Sequence, residues 1–145
     1  MGVKNYVIKY SMLYVIGIDF HDEGLMSIVN SVMTHIEYAL DRGYTPVVNM
    51  KDFQSIYHKE DENVWECFFE QPCGYNLSDV YGARNIILSM NVQYPKGYSF
   101  EADNQKRIEK IRYIYKNFLR PNKSLLSYLD ESLNTIKSCK DGVIA

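Results

Sequence analysis

A short apolar run at residues 12–18, Met-Leu-Tyr-Val-Ile-Gly-Ile, constrains the fold more than any other feature of the sequence. It is rich in β-branched residues and carries no charge, which is typical of a strand covered on both faces of a parallel sheet. Apolar residues then recur every three or four positions from Leu25 to Leu40, as in an amphipathic helix. Gly43 ends that helix, and residues 45–50 form a second strand. This order predicts a right-handed βαβ unit.

Further elements continue the alternation of strands and helices. They are a short helix capped by Asn76 or Ser78, a strand at residues 85–90, helices at 102–119 and 122–136, and the beginning of a strand at 143–145. We therefore predict an α/β fold: a Rossmann-like three-layer domain with a short, mainly parallel sheet. The chain of 145 residues has the length of one domain, which we place at residues 1–145.

Charge and cysteine content narrow the class of protein. The chain has 16 Lys and Arg against 18 Asp and Glu, a net charge of −2, so we expect no nucleic-acid partner. Cys67, Cys73 and Cys139 lack the paired spacing of a zinc site and fit the reduced thiols of a cytoplasmic protein. The apolar stretch at residues 6–18 is interrupted by Lys9, so no membrane span is expected. Neither a metal nor a cofactor is predicted.

The loop at residues 19–24 follows the first predicted strand at the carboxyl edge of the sheet, where open α/β sheets bind ligands. It contains three acidic residues and His21, and the sequence leaves three interpretations open. In the first interpretation, these side chains bind a metal. In the second, Asp22 or Glu23 caps the following helix. In the third interpretation, Gly24 lets the backbone approach a ligand while helix N–H groups point at an anion such as a phosphate.

The aromatic block at residues 65–75, Trp-Glu-Cys-Phe-Phe-Glu-Gln-Pro-Cys-Gly-Tyr, is expected to be irregular because it contains proline and glycine. Glu66 and Glu70 lie among its aromatic residues. A carboxylate in apolar surroundings tends to have a raised pKa, which suits general acid or base catalysis. The alternative is a loop that seals the core, in which Glu70 and Gln71 form hydrogen bonds with the backbone.

Three segments carry a resemblance to a known family. They are Gly24-Leu25 at the start of the helix, the run from Ala39 to Lys51 (Ala-Leu-Asp-Arg-Gly-Tyr-Thr-Pro-Val-Val-Asn-Met-Lys), and Trp65-Glu66-Cys67-Phe68-Phe69-Glu70-Gln71-Pro72. Over residues 12–90 the chain resembles the amino-terminal part of bacterial surface-polysaccharide glycosyltransferases related to the O-fucosyltransferases. This resemblance implies two facing Rossmann-like domains, with acceptor contacts mostly in the first and the nucleotide sugar largely in the second.

The resemblance also implies roles for individual residues. Glu70 is the candidate catalytic base or acceptor contact, Gln71 and Trp65 position the sugar, Tyr75 adds to the substrate-binding surface, and Gly24 gives backbone access. In the family, a helical region like residues 104–140 is followed by a strand and then by an arginine-containing motif that contacts the donor diphosphate. This chain stops where that strand is expected to begin. We therefore expect a glycan acceptor as the partner, a nucleotide sugar only with a second domain, and no transferase activity from the chain alone.

A second hypothesis is a binding or assembly module without catalysis. An unpaired apolar sheet edge at residues 143–145 favours association, and a homodimer follows from it. A small hydrolase that uses Glu66 and Glu70 is a third hypothesis, which lacks an evident nucleophile or oxyanion arrangement.

Overall fold

The computed structural model describes residues 12–17, 24–53, 57–91 and 105–138. Three strands and five α-helices lie in these ranges. In chain order they are β1 (Leu13–Gly17), α1 (Leu25–Asp41), β2 (Thr45–Asn49), α2 (Val64–Phe68), α3 (Leu77–Gly82), β3 (Ile86–Leu88), α4 (Gln105–Phe118) and α5 (Lys123–Ser138). The strand predicted at 143–145 lies outside the described residues.

The three strands form one open sheet in the order β2-β1-β3, and both pairings are parallel. Val15 at the centre of β1 faces Val47 on one side and Leu88 on the other. The predicted α/β class and the βαβ unit are therefore confirmed. β3 is shorter than the predicted strand at 85–90 because the chain turns into a 3₁₀ helix at Ser89.

Both faces of the sheet are covered by apolar side chains. Tyr14, Ile16 and Val48 pack with the buried face of α1 on one side, and Leu13, Val15 and Val47 pack with Tyr75, Leu77 and Val80 from the α3 region on the other. Alternate residues of a strand point to opposite faces, so an uninterrupted apolar run fills two cores at once. Full burial of each such side chain stabilises the fold by roughly 1.5–3 kcal/mol.

A glycine lies at each end of α1. Gly43 has a φ of +71°, and its N–H bonds the carbonyl of Leu40 at 3.1 Å, so it ends the helix as expected. At the other end the cap residue is Gly24, with extended backbone and no side-chain cap hydrogen bond. Asp22 and Glu23, the predicted capping residues, lie outside the described residues, so their role stays a prediction.

A buried carboxylate attaches α4 to α1. Glu37 is 1% exposed, and its Oε2 forms ion pairs with Arg107 and, at 3.2 Å, with Lys110. Lys110 also reaches Asp41 at 3.0 Å. Ile114 is the fully buried residue of α4, and Tyr115 and Phe118 pack partly buried on the same core. The ion pairs therefore act together with apolar packing to position this helix.

The cap of α5 agrees with the sequence prediction, whereas the aromatic block at residues 65–75 differs from it in part. Asn122 caps α5 as expected, since its Oδ1 accepts the N–H of Leu125 at 2.8 Å. The block at residues 65–75, expected to be irregular, instead begins within the short helix α2. Its proline and glycine, at positions 72 and 74, follow the end of that helix and do not interrupt it.

Candidate functional site

The strand order places a topological switch point at the carboxyl edge of the sheet. The chain passes from β1 to β2 on one side and then crosses to β3 on the other, so the strand order reverses between β1 and β3. Open α/β sheets bind ligands at such a switch point. Here the N–H of Gly17 donates to Oγ of Ser89 at 3.0 Å, which joins the ends of β1 and β3.

The same edge brings an aromatic ring onto the end of β1. A Cβ added at Gly17 would lie 2.7 Å from Cε2 of Phe53, closer than such atoms pack. The ring of Phe53 therefore lies where any larger residue at position 17 would place its side chain. A larger residue at position 17 displaces this ring, and the contact places Phe53, which follows β2, beside the end of β1.

Three residues form a hydrogen-bonded group near the end of β2: Asn49 is the last residue of the strand, Asp52 follows it, and Tyr81 lies on α3. Asn49 is buried and donates through Nδ2 to Oδ2 of Asp52 at 2.9 Å, while its Oδ1 accepts the N–H of Asp52 at 3.1 Å. The hydroxyl of Tyr81 donates to the same Oδ2 at 2.5 Å. This bond lowers the pKa of Asp52 and is the largest cause that raises the pKa of Tyr81 to about 12. Asp52 is therefore a fixed anion at neutral pH.

We define the carboxyl-edge site as six residues that share this edge: Gly17, Asn49, Asp52, Phe53, Tyr81 and Ser89. Sequence reasoning singled out none of them. Their positions in the sequence could have indicated them, because Asn49, Asp52 and Ser89 are polar residues at or just after the ends of predicted strands.

Gly24, predicted to give backbone access, lies at the start of α1. It is exposed, and a Cβ built there would meet no atom within 4 Å, so the space beside its backbone is open. Its φ of −72° is accessible to any residue, so conformation does not require glycine here. The residues of the preceding loop, at 18–23, lie outside the described residues, and the predictions for them stay untested.

Gln71, predicted to bind sugar, pairs with the outer edge of β2. Its Oε1 accepts the N–H of Val48 at 2.8 Å and its Nε2 donates to the Val48 carbonyl at 2.8 Å. Asn63 adds a bond from Nδ2 to the same carbonyl at 2.9 Å and accepts the N–H of Met50 through Oδ1 at 2.9 Å. The two amides thus replace a neighbouring strand, as an edge strand requires.

The two predicted aromatic contacts are buried. Trp65 is 1% exposed, packs on Phe69 with ring centroids 4.7 Å apart, and donates through Nε1 to the Glu70 carbonyl at 3.2 Å. Tyr75 is 2% exposed and belongs to the core on the α3 face of the sheet. Their rings have little surface for a ligand in this conformation, and their substrate-binding role stays a prediction.

Glu70, the predicted catalytic carboxylate, lies at the surface. Its side chain is 55% exposed, and Oε2 is 3.2 Å from Nε of Arg120. The Glu70 N–H donates to the Arg120 carbonyl at 2.8 Å, and Nη2 of Arg120 donates to the Gln71 carbonyl at 2.7 Å. The apolar surroundings expected for this carboxylate are absent. Its position instead depends on the connection between α4 and α5.

Other chemistry in the described ranges is limited. Cys67 and Cys73 are free thiols, and burial raises the pKa of each, which disfavours the reactive thiolate. The described His, Cys, Asp and Glu side chains form no group of three placed to hold a metal ion. None of the described helices combines the length and apolar character needed to cross a bilayer.

Comparison with protein-family models, with curated proteins and with solved structures gives no significant match to this chain.

Proposed function

We propose that the chain is the amino-terminal, acceptor-side Rossmann-like domain of a two-domain glycosyltransferase that acts in surface glycan or capsular polysaccharide synthesis. The resemblance over residues 12–90 supplies the class of activity. The observation that carries the proposal is the switch point between β1 and β3, where Gly17 and Ser89 meet at the edge expected to bind a ligand.

The chemistry of the carboxyl-edge site fits an acceptor better than a donor. The site offers hydroxyl, amide and carboxylate groups and two aromatic rings, and none of its six residues is cationic. Hydroxyls of a sugar match these groups, whereas a diphosphate requires positive charge. In this proposal a companion domain holds the diphosphate of the nucleotide sugar, and the free thiols of Cys67 and Cys73 fit a cytoplasmic location.

Glu70 stays the candidate base or acceptor contact on the strength of the resemblance, and its carboxylate is exposed and therefore accessible to an acceptor. In this proposal the contribution of Gln71 and Trp65 is indirect, because they position the segment that carries Glu70. The proposed role of Tyr75 in substrate binding is likewise indirect, since its ring is buried. Gln71 fixes that segment to β2, and Trp65 fixes it through the Glu70 carbonyl.

Amide chemical-shift mapping tests this function. The ¹⁵N-labelled chain is titrated with methyl glycosides of the common hexoses to concentrations well above millimolar. We expect saturable shifts at Gly17, Phe53 and Ser89, with α5 unchanged as an internal control. The purified chain is also expected to transfer no sugar from a nucleotide donor. Unchanged amides at the carboxyl edge with every glycoside, or sugar transfer by the chain alone, would contradict the proposal.

A second candidate function is self-association without catalysis, and α5 favours it. This helix has no buried residue, and Leu126, Leu129, Leu133 and Ile136 are 43–52% exposed along one face. These four side chains expose on the order of 300–400 Å² of apolar surface, the size of the largest patch on a typical monomer, which is often functional. Two copies bury on the order of 700 Å² through these side chains, the size of a weak or transient contact.

The occupant of this face in the second candidate is a second copy of the chain. The charges of α5 balance, with two lysines against one Asp and one Glu, so a nucleic acid or an anionic membrane is disfavoured. Sedimentation over a range of concentrations is expected to show a dimer that Leu129→Gln with Leu133→Gln dissociates. Ser127→Gln, on the opposite side of the helix, is the control. A monomer at every concentration removes this candidate.

A further inference from the structure

Asp52 is held in one orientation by two donors that approach the same oxygen. Asn49 donates to Oδ2 at 2.9 Å and Tyr81 donates to it at 2.5 Å. Asn49 is itself fixed, because it ends β2, is buried, and accepts the N–H groups of Lys51 and Asp52 through Oδ1. A surface carboxylate is ordinarily free to rotate, and this one is positioned before any ligand arrives.

Within the part of the chain that the structure describes, the second oxygen of Asp52 remains available to a ligand. Neither hydrogen bond that the described residues donate to the Asp52 carboxylate reaches Oδ1, and the residue is exposed. An ionised carboxylate accepts hydrogen bonds and donates none, so Oδ1 selects a ligand group that carries a proton, such as a hydroxyl. Its negative charge disfavours a phosphate or a carboxylate in direct contact with Oδ1, and the nearby charge of Lys51, which helps to lower the pKa of Asp52, opposes this effect in part.

Tyr81 supplies an aromatic surface next to that oxygen. Its side chain is 60% exposed although its hydroxyl is bound to Asp52. The helix that carries it is anchored by a capping box, in which Oδ1 of Asn76 accepts the Asp79 N–H at 3.2 Å and Oδ2 of Asp79 accepts the Asn76 N–H at 2.9 Å. The ring is therefore both oriented and accessible, and its exposure is not explained by packing in the core.

We propose that Asp52 and Tyr81 form the sugar-recognition pair of the carboxyl-edge site, in which Oδ1 of Asp52 accepts a hydroxyl and the Tyr81 ring packs on the apolar face of an uncharged sugar. This inference rests on the proposed function and adds the class of sugar and the residues that select it. A neutral hexose fits the pair, and a sugar phosphate or a uronic acid does not.

Three variants separate the parts of this pair. Asp52→Asn keeps the shape of the side chain but removes its charge. Tyr81→Phe keeps the aromatic ring but removes the hydrogen bond from Tyr81 to Asp52. Tyr81→Ala removes both the ring and this hydrogen bond. Matched controls are Glu131→Gln and Tyr128→Ala on α5, which change an exposed carboxylate and an exposed ring away from the site. Affinity is measured by chemical-shift titration with the methyl glycoside that binds best, and folding is checked by thermal unfolding of every variant.

We expect at least a tenfold loss of affinity for Asp52→Asn and for Tyr81→Ala, a smaller loss for Tyr81→Phe, and no change for the controls. The 6-phosphate of the same hexose is expected to bind at least tenfold more weakly than the neutral glycoside, and Asp52→Asn to reduce that difference. If the glycoside shifts Gly17 and Ser89 equally in wild type and Asp52→Asn, the pair is a structural tie and this inference is overturned while the proposed function stands. If no glycoside binds the wild-type chain, both are overturned.

Discussion

The side-chain amide of Gln71 pairs with both backbone polar groups of Val48, at 2.8 Å for each bond. This arrangement gives the outer edge of β2 the hydrogen bonds that a fourth strand would otherwise supply. A residue from the aromatic block thereby completes the sheet, which is a different task from contacting a sugar.

Gln71→Leu is expected to destabilise the chain by about 1–3 kcal/mol, because the buried N–H of Val48 loses its acceptor. Urea denaturation measures the loss, and the Val48 amide is expected to exchange faster with solvent. Gln105→Leu, at an exposed position on α4, serves as the control and is expected to change stability by less than about 0.5 kcal/mol. Equal stability of the two variants would show that the edge does not depend on this amide.

The buried pair of Tyr14 and His35 predicts acid sensitivity. The Tyr14 hydroxyl lies 2.8 Å from Nδ1 of His35, and burial lowers the pKa of His35 to about 4, below its unfolded value near 6.5. Neutral histidine therefore stabilises the fold fully above about pH 6.5. The contribution is lost as the pH falls towards 4 and amounts to about 3 kcal/mol.

Denaturation at several pH values between 7 and 4 measures this contribution. His35→Gln keeps a hydrogen-bonding side chain beside Tyr14 but does not titrate in this range. Its stability is expected to fall much less between pH 6.5 and 4 than that of the wild type. Parallel pH profiles for the two proteins would assign the acid sensitivity to other groups.

The sequence predicts the parts of this fold that depend on local signals. The apolar run of β1, the glycine after α1 and the cap at Asn122 each act within a few residues, so their consequences can be read from neighbouring positions. The parallel sheet then follows, because two buried strands joined by a helix have few ways to pair.

The chemistry of the aromatic block depends on distant partners. Whether Gln71 binds a sugar or a strand edge depends on what lies beside it, and Val48 is 23 positions away in the sequence. Glu70 likewise meets Arg120 at a separation of 50 positions. Aromatic neighbours in the sequence therefore did not indicate the actual surroundings of these side chains. The Asp52 and Tyr81 pair was missed for the same reason.

The ion pair between Glu37 and Arg107 predicts a coupled effect on stability. Glu37 is buried on α1, and no partner for its Oε1 occurs among the described residues. Removing Arg107 leaves that carboxylate with Lys110, whose side chain is 44% exposed. Because Lys110 still pairs with Glu37, Arg107→Met is expected to cost about 1–3 kcal/mol, less than a fully unpaired buried charge.

A double-mutant cycle separates the ion pair from packing at this contact. Glu37→Gln with Arg107→Met is expected to be more stable than the sum of the single changes predicts, because no charge is left unpaired. Thermal or urea unfolding of the four proteins gives the coupling. Additive losses would show that α4 is held by packing around Ile114 instead.

The contact between Gly17 and Phe53 links stability to the candidate site. A methyl group at position 17 would meet the Phe53 ring at 2.7 Å, so Gly17→Ala displaces the ring. We expect a destabilisation of about 1–3 kcal/mol from the overpacking, together with weaker glycoside binding because the segment that carries Asp52 moves with Phe53. Phe53→Leu in the Gly17→Ala background relieves the clash and is expected to recover part of the stability. Recovery of stability without recovery of binding would show that the ring itself contacts the sugar, whereas unchanged binding in Gly17→Ala would place the sugar away from the end of β1.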